Sequence, residues 1–403
     1  MKQLFFLLFF FSLIFNLFAQ EATQWRGANS SGIYKVEKLL PQWPADGPGV
    51  LWSFEKLGQG YSSPAFANNK IYINGMVNGQ AVLFVLDMNG KELQEIKYGK
   101  EFDASYPGTR STPTIVGDLA YLLTGHGILT CLNLKTGKPV WQKDFINGFG
   151  GSNITWGYTE AILVDGDKLF CTPGGKKNNV MALNRMTGET IWACPGLGEQ
   201  SAYCTPLLIK LPARQLLVTH TSGHVVGVDA TTGKLLWNSQ HPNQWAVHPN
   251  TPIYQDGGLF VFSGYGQGGE KLKLSDDGSS ITKEWDIKSF DSRMGGAVLI
   301  DGYLYGSGDS SRSWQCIDWK TGEQKYASTE MGKGVCIAVN DKLIGYSEKG
   351  ELFMAEASPA AFKIISKTKV TLGAEQHWAH PVIFKGILYV RHGNALIAYK
   401  VSE

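Results

Sequence analysis

Apolar and polar positions alternate with a period of two along most of this chain, and the alternation is punctuated at regular intervals. One phrase recurs: Pro or a small residue, an apolar run, a short polar turn, and a second apolar run. It reads "SSPAFANNKIYI", "STPTIVGDLAYLL", "TEAILVDGDKLFC", "CTPLLIKLPARQLLV", "NTPIYQDGGLFVF", "GGAVLIDGYLYGS", "GVCIAVNDKLIGY" and "AHPVIFKGILYVR". Period-two runs broken by Gly, Asp or Asn predict β-hairpins. A third run follows ("ILTCLNL", "VVGVDA", "WQCIDW"), then a tight turn, then a run that carries Trp. The turn and the last run repeat nearly verbatim as "LNLKTGKPVW", "LNRMTGETIW" and "VDATTGKLLW", with a weaker copy, "IDWKTGEQKY".

Each unit therefore predicts four antiparallel strands, a to d, at about 45 residues, the spacing of propeller blades. Asn133, Asn184 and Asp229 hold one position in successive units, with Gly137, Gly188 and Gly233 four residues later and Trp141, Trp192 and Trp237 four later again. Trp285 follows the degenerate turn "SDDGSS". One large apolar side chain per repeat on an outer strand predicts packing between neighbouring blades. The eighth unit stops after strand c at "NALIAYKVSE", and a spare d-like run, "VLWSFEKLG", stands near the N-terminus with Trp52 in register. Pairing the two closes the ring and leaves no open end. The expected fold class is all-β, an eight-bladed β-propeller over residues 49–403, its ring closed by an N-terminal strand on the last blade. Residues 20–48 form an arm lying across the ring.

Composition sharpens this outline. The first residues, "MKQLFFLLFFFSLIFNLFAQE", place one Lys before an apolar run and then Ala19, the pattern of a signal peptide over residues 1–19 cleaved near Ala19. Gln20 stands where a lipoprotein would carry Cys, so the expectation is a periplasmic or secreted protein that is neither a lipoprotein nor an integral membrane protein. The net charge of +2 argues against a nucleic-acid partner. Six cysteines, Cys131, Cys171, Cys194, Cys204, Cys316 and Cys336, form no C-x-x-C motif; Cys194 and Cys204 are the pair to test for a disulfide.

The eight histidines point to one end of the ring. His126, His220, His224 and His392 map to b–c connections, and His241, His248, His377 and His380 to d–a connections, which emerge on the same face. Aligning the d–a connections on strand a puts Tyr61, Arg110, Tyr158, Tyr203, Pro249, Met294, Lys333 and Trp378 at one level, one per blade. Ser63, Thr112, Glu160, Thr205, Thr251, Gly296, Val335 and His380 stand at the next. Strand a is innermost in a propeller, so these residues ring the mouth of the channel. Convergent polar groups among aromatics in a concave mouth are the makings of a small-molecule site. Trp156, His248, His377, Arg391 and His392 complete the candidate ligand-binding set. Arg110 and Lys333 suit carboxylates or other anions, and the aromatics suit a planar cofactor or a sugar ring. Glu160, His380 and Tyr203 are the catalytic candidates, and Glu160 the candidate metal ligand. His377, His380 and His392 are a further candidate metal group, though without a diagnostic spacing. "GYGQGG" is Gly-rich but lies in a hairpin with no helix after it, which excludes a dinucleotide loop.

The "D-x-x-T-G-K-x-x-W" pattern resembles the repeat of the pyrroloquinoline-quinone (PQQ) family, which includes quinoprotein dehydrogenases and the non-enzymatic BamB-like propellers. The resemblance covers nearly the whole chain beyond the leader and speaks for fold more than function. Its BamB-like branch implies an exported propeller that binds a small-molecule or carbohydrate ligand, or an envelope protein partner, without redox chemistry. Its dehydrogenase branch implies PQQ with Ca²⁺, with Arg110 and Lys333 on the cofactor's acid groups and oxygens and Glu160 on the metal. The adjacent cysteine pair, the long insertions and a second acid beside Glu160 that go with that branch are missing. A third reading, a polysaccharide lyase, would use His380 as base, Tyr203 as acid and Arg110 to neutralise a uronate. Binding ranks first, the dehydrogenase second and the lyase third.

Overall fold

The computed structural model describes residues 22–403 apart from Asn153 and Gly295, so the expected leader lies outside the described residues. The described chain forms eight blades of four antiparallel strands, one of them extended by a short fifth, parallel strand, with one short 3₁₀ turn at Ala28–Ser30 and no α-helix. Blades 1 to 7 run over residues 65–100, 114–144, 163–194, 207–240, 253–287, 297–328 and 334–369. Blade 8 takes strands a to c from Val382–Phe384, Ile387–His392 and Ala395–Lys400, and strand d from Val50–Phe54. The closing register is Val50 to Tyr399, Trp52 to Ala398, Ser53 to Ile397 and Phe54 to Leu396, as the spare strand predicts.

The repeated turn is a device of three parts. The Asn or Asp side chain accepts the backbone N–H groups two and three residues on: Asn184 takes Met186 at 2.9 Å and Thr187 at 3.1 Å, and Asp229 takes Thr231 at 3.0 Å and Thr232 at 2.9 Å. The glycine four residues on has positive φ, +70° at Gly188 and +78° at Gly233, a conformation that penalises any Cβ. Each of these glycines also lies against the tryptophan of the preceding blade. A Cβ at Gly233 would stand 2.8 Å from the Trp192 ring, and Gly188 and Gly322 meet Trp141 and Trp285 in the same way. The indole N–H then donates to the same turn, Trp192 to Ala230 O, Trp141 to Arg185 O and Trp237 to Gly278 O, each at 3.1 Å. The turn of one blade is thus the socket for the tryptophan of the blade before it.

The apolar core is correspondingly divided into slabs between adjacent blades. Phe170 and Val180 of blade 3 pack with Leu217 and Val226 of blade 4, and Val218 and Trp237 of blade 4 with Leu259 and Val261 of blade 5. The largest slab joins blades 7, 8 and 1 and takes in Tyr34 and Trp43 from the arm. Every strand d also carries one residue out of register just before the tryptophan position: Leu51, Leu93, Val140, Ile191, Leu236, Glu284, Lys325 and Ile365. Each is a β-bulge at the same point of the outer edge.

The arm runs inside the channel, with hydrogen bonds to blades 1, 2, 6 and 7. Ala22 O accepts from Phe66 N–H on blade 1 and Thr23 O from Ile115 N–H on blade 2, satisfying groups on innermost strands that have no neighbour on the channel side. Ile33–Tyr34 then pairs in parallel with Gly334–Val339, the innermost strand of blade 7. The chain continues past Asn340 and Ser402 to the closing strand. All six cysteines are buried and unpaired, including Cys194 and Cys204.

The socket geometry separates two otherwise similar glycines. Gly233→Ala should cost about 2 kcal/mol or more, through positive φ plus collision with Trp192. Gly137→Ala, which faces only the Gln94 amide and Ile96 because blade 1 has no tryptophan, should cost about 1 kcal/mol. Trp192→Ala should cost about 3–5 kcal/mol. Denaturant unfolding of the three variants measures the order, and equal losses at Gly137 and Gly233 would refute the socket.

Candidate functional site

The d–a and b–c connections surround a cavity of about 240 Å³ at one end of the channel. Six of the sequence-predicted residues line it: Tyr61, Arg110, Trp156, Tyr203, Trp378 and His380. Pro249, Met294, Thr112 and Thr205, from the two aligned levels, line it as well.

Its walls are aromatic. Tyr61 and Tyr106 both pack against Trp378, with ring centroids 5.0 and 4.9 Å away. Trp156 meets Tyr203 at 6.4 Å and the half-exposed Trp245 at 5.9 Å. Three lining tyrosines sit on left-handed backbone: Tyr106 at φ 44°, Tyr203 at φ 72° and Tyr265 at φ 60°. Bulky residues rarely adopt that region, and such strain concentrates at functional sites.

Arg110 supplies the principal charge. Its guanidinium donates to Gly108 O at 2.7 Å, Ser105 O at 2.8 Å and Tyr106 O at 2.7 Å, and its carbon stands 5.0 Å from the Phe102 ring. These are carbonyl partners, not carboxylates, and no residue lining the cavity is acidic. The nearest acid in influence is Glu101, which is fully buried behind Phe102. One of its oxygens accepts Phe102 N–H at 2.8 Å and Gly125 N–H at 2.6 Å, while the other has no partner. Burial outweighs those bonds and raises its carboxyl to about 7.

The floor comes from the arm. Trp25 lines the cavity and packs edge-on against His380 at 5.1 Å. The neighbouring Arg26 is buried and reaches Ala297 O of blade 6 at 2.5 Å, Cys336 O of blade 7 at 3.0 Å and His380 Nδ1 at 2.9 Å. Because Arg26 only donates, His380 Nδ1 carries the lone pair, and its Nε2–H donates to Met294 O at 2.7 Å. Both imidazole nitrogens are engaged, so His380 is a neutral wall residue without a free base. Burial, with the Arg26 charge as a second cause, lowers its pKa to about 3.

The remaining predicted residues lie elsewhere. Tyr158 is buried between blades, its hydroxyl donating to Pro173 O at 2.7 Å. Glu160 turns into blade 3, where both oxygens accept Thr172 N–H at 2.9 and 3.1 Å, and burial raises its carboxyl to about 8. Glu160 does not line the cavity, so it is not placed to hold Ca²⁺ there. Lys333 is neutralised by Asp309 and Glu348, which also hold Arg293 at the cavity wall. Arg391 is buried among Ser62, Asn74 and Gly393, and desolvation lowers it to about 9. His248 is buried on Ser222 O. His377 stacks on His392 at 3.7 Å, bound to Tyr346, and His392 reaches Leu372 O and Glu375 O. Among the described residues no three His, Cys, Asp or Glu side chains stand together as metal ligands.

Four aromatic or charged lining residues escaped the sequence reading, Trp25, Tyr106, Tyr265 and Arg293, as did Thr159, Ala161 and Val247. Arg293 stands one place before the aligned Met294, and Tyr265 belongs to the "GYGQGG" hairpin, so both had a positional signal. Trp25 and Tyr106 lie outside the repeat register and had none.

A ring of four-stranded blades with Trp–Gly sockets and an aromatic, cationic mouth defines an eight-bladed propeller of the PQQ-repeat class. A family profile described as "Outer membrane protein assembly factor BamB" matches residues 50–328, and the chain belongs to that family. Among curated relatives, BamB of Kangiella koreensis is 24% identical over 208 residues, 51% of this chain and 49% of that protein. The dehydrogenase subunit of the quinone alcohol dehydrogenase of Acetobacter aceti is 28% identical over 153 residues, covering 32% and 19%. The matched region thus spans about half or less of these two relatives. Solved structures agree on fold: BamB of Moraxella catarrhalis superposes with TM-score 0.60 at 14% identity, over 88% of this chain and 99% of that one. A europium-containing methanol dehydrogenase does so with TM-score 0.70 at 13% identity, over 93% and 90%.

The buried ionisable groups set the pH profile of stability. His248 and His380, near 3, and His377, near 4, lie below the unfolded value of about 6.5. The unfolded chain therefore binds more protons between about 6.5 and 3, and stability falls as pH drops through that window. Glu101, near 7, and Glu160, near 8, lie above their unfolded value, so their contribution is lost as pH rises through 7 to 8. Unfolding free energy should peak near pH 6 to 6.5. Glu160→Gln should flatten the alkaline side, as urea titrations across pH 4–9 can measure.

Proposed function

We propose that this chain is an exported propeller that binds a small anionic ligand with a flat apolar face at its channel mouth, without redox chemistry of its own. The observation that carries this reading is Arg110, fixed by three carbonyls and lacking any lining acid, inside aromatic walls. A prepositioned guanidinium in a partly desolvated cavity favours a carboxylate or similar group. Flat rings of Trp156, Trp378 and Tyr203 favour a planar or sugar-like body. Export rests on the leader pattern in residues 1–19. An envelope protein partner rests on relatives named as outer membrane protein assembly factors. Among the described residues no helix is long and apolar enough to cross a membrane.

The PQQ–Ca²⁺ reading fits less well. Ca²⁺ requires several oxygen ligands; the lining set contains no carboxylate, and Glu160 is committed to Thr172. The lyase reading lacks its base, because His380 has no free nitrogen.

Tryptophan fluorescence of the purified protein, titrated with aromatic carboxylates, uronates, and PQQ with and without Ca²⁺, tests the proposal. We expect saturable 1:1 binding of a carboxylate ligand, indifferent to Ca²⁺ and weakened about 10- to 100-fold in Arg110→Ala. Affinity should rise as pH falls from 8 to 6, because protonating Glu101 removes a negative charge behind Arg110, and Glu101→Gln should abolish that dependence. Binding that Arg110→Ala leaves intact would overturn the assignment. Ca²⁺-dependent PQQ binding would restore the dehydrogenase reading.

A further inference from the structure

Behind the cavity wall lies a cluster that the ligand site does not use. His220 ends strand b of blade 4, and His241 and His248 lie in the connection from blade 4 to blade 5. All three are buried, with ring centroids 5.2, 5.4 and 5.8 Å apart. Both ring nitrogens of His220 and both of His241 lack hydrogen-bond partners. His248 is engaged on both sides. Its Nε2–H donates to Ser222 O at 3.2 Å, and its Nδ1 accepts from the Asn243 side-chain amide at 3.4 Å. Because that amide nitrogen only donates, His248 Nδ1 carries the lone pair. The same Asn243 nitrogen donates to Val247 O at 2.8 Å, and the Asn243 side-chain oxygen accepts Trp245 N–H at 3.0 Å and Val247 N–H at 3.2 Å. One side chain thus staples the turn, which holds Ala246 on left-handed backbone at φ 53°.

We infer that this cluster is an acid latch on the ligand cavity: protonation of His220 and His248 breaks the Asn243 staple and frees the connection over residues 241–250, which forms part of the cavity wall. Its effect on binding rests on the ligand reading proposed above. A proton on His248 Nδ1 turns an acceptor into a donor and sets it against the Asn243 N–H. Asn243 cannot answer by turning its amide over, because its oxygen is held by two backbone N–H groups of the turn. A proton on His220 finds no acceptor and lies against the parallel His248 ring. The acids nearby are committed elsewhere. Glu270 faces His241 Nδ1 at 3.6 Å and accepts Ser239 Oγ–H at 3.1 Å. Glu199 is paired with His224 at 2.8 Å and accepts Thr221 Oγ1–H and Gly223 N–H. Neither His220 nor His248 forms an ion pair with a described acid.

The sign of the effect follows from burial. Desolvation, and after it the neighbouring imidazoles, lowers His220 well below the usual histidine range and His248 to about 3. A freed, solvated imidazole titrates near 6.5. The open form therefore binds up to two more protons than the closed form as pH falls below about 6.5, and each proton raises the open-to-closed ratio up to about tenfold per pH unit. Opening reaches the ligand site directly. Val247 and Pro249 line the cavity, Val247 packs with Ile154 and Tyr203, and Trp245 meets Trp156 edge-on at 5.9 Å. Freeing the connection removes two lining residues and the support of two aromatic walls, so the ligand is released in acid.

Hydrogen-exchange mass spectrometry of the purified protein between pH 6.5 and 4.5, corrected for the intrinsic pH dependence of exchange, reads the latch. The amides of His241, Trp245, Val247 and His248 are all hydrogen-bonded in the closed form and report on it. Peptides from residues 241–250 should lose protection by up to about 100-fold per pH unit while strand b of blade 1 keeps its own. His248→Gln retains a donor for Ser222 O and an acceptor for Asn243, and should reduce the slope to about tenfold per unit. His220→Phe/His248→Gln should abolish it. Should that double variant fail to fold, the wild-type and His248→Gln slopes decide. Protection that survives to pH 4.5 in the wild type, or a slope that His248→Gln leaves unchanged, overturns the latch. An aromatic sulfonate, ionised throughout this range, should bind the wild type at least about tenfold more weakly at pH 4.5 than at pH 6, and the double variant equally at both. Equal weakening in both proteins overturns the link to the cavity. A sulfonate bound at neither pH overturns the ligand reading instead, and the exchange slopes still decide the latch.

Discussion

The pairing of Val50–Phe54 with Ala395–Lys400 is the contact on which the rest depends. Each blade is a four-stranded sheet that buries its faces mainly against its neighbours, and the core is accordingly divided into slabs rather than gathered at a centre. A stack of this kind has stable ends only when it is capped or closed. Here the two ends cap each other across nearly the whole sequence. The same closure draws Tyr34 and Trp43 into the slab between blades 7, 8 and 1, so ring and arm are secured together.

The arm makes the mouth a different place from the rest of the channel. Trp25 closes its floor, and Arg26 binds carbonyls on blades 6 and 7 and the His380 ring beside blade 8. A buried guanidinium satisfied by carbonyls and a neutral imidazole adds positive potential without an internal counter-ion. Arg110 is likewise held by carbonyls at the rim, with only the buried Glu101 behind it. By contrast, Arg293 and Lys333 share Asp309 and Glu348 and present little net charge. The electrostatic asymmetry of the mouth thus comes from which cations have been left without acids, not from how many there are.

The fold could be read from the sequence because its signal is repeated: the Asn/Asp–Gly–Trp spacing recurs in blades 2, 3 and 4 and survives in weaker form elsewhere, and the single unmatched strand declared the closure. The rim was partly legible for the same reason. Counting back from strand a picked out Tyr61, Arg110, Tyr203 and Trp378, which all line the cavity because the connections leave the blades in similar ways. The method failed where side chains at equivalent positions turn differently. Tyr158 swings between blades to reach Pro173 O, Lys333 folds over onto two acids, and Glu160 points down to Thr172. Trp25 could not be found by any register argument. It reaches the cavity through the channel, and only the three-dimensional path of the arm puts it beside His380.

The bulge on every outer strand has a consequence for how the molecule meets other copies of itself. A closed ring abolishes its two ends but still presents eight outermost strands whose backbone groups face solvent, each a template for further sheet growth. At Leu51, Leu93, Val140 and Ile191 the out-of-register residue is also an exposed aliphatic, the most adhesive side chain for such an edge. Because the bulge bends the strand at that very point, a straight incoming strand cannot keep step with the ladder on both sides of it. The same irregularity stops the perimeter from serving as a seed for polymerisation.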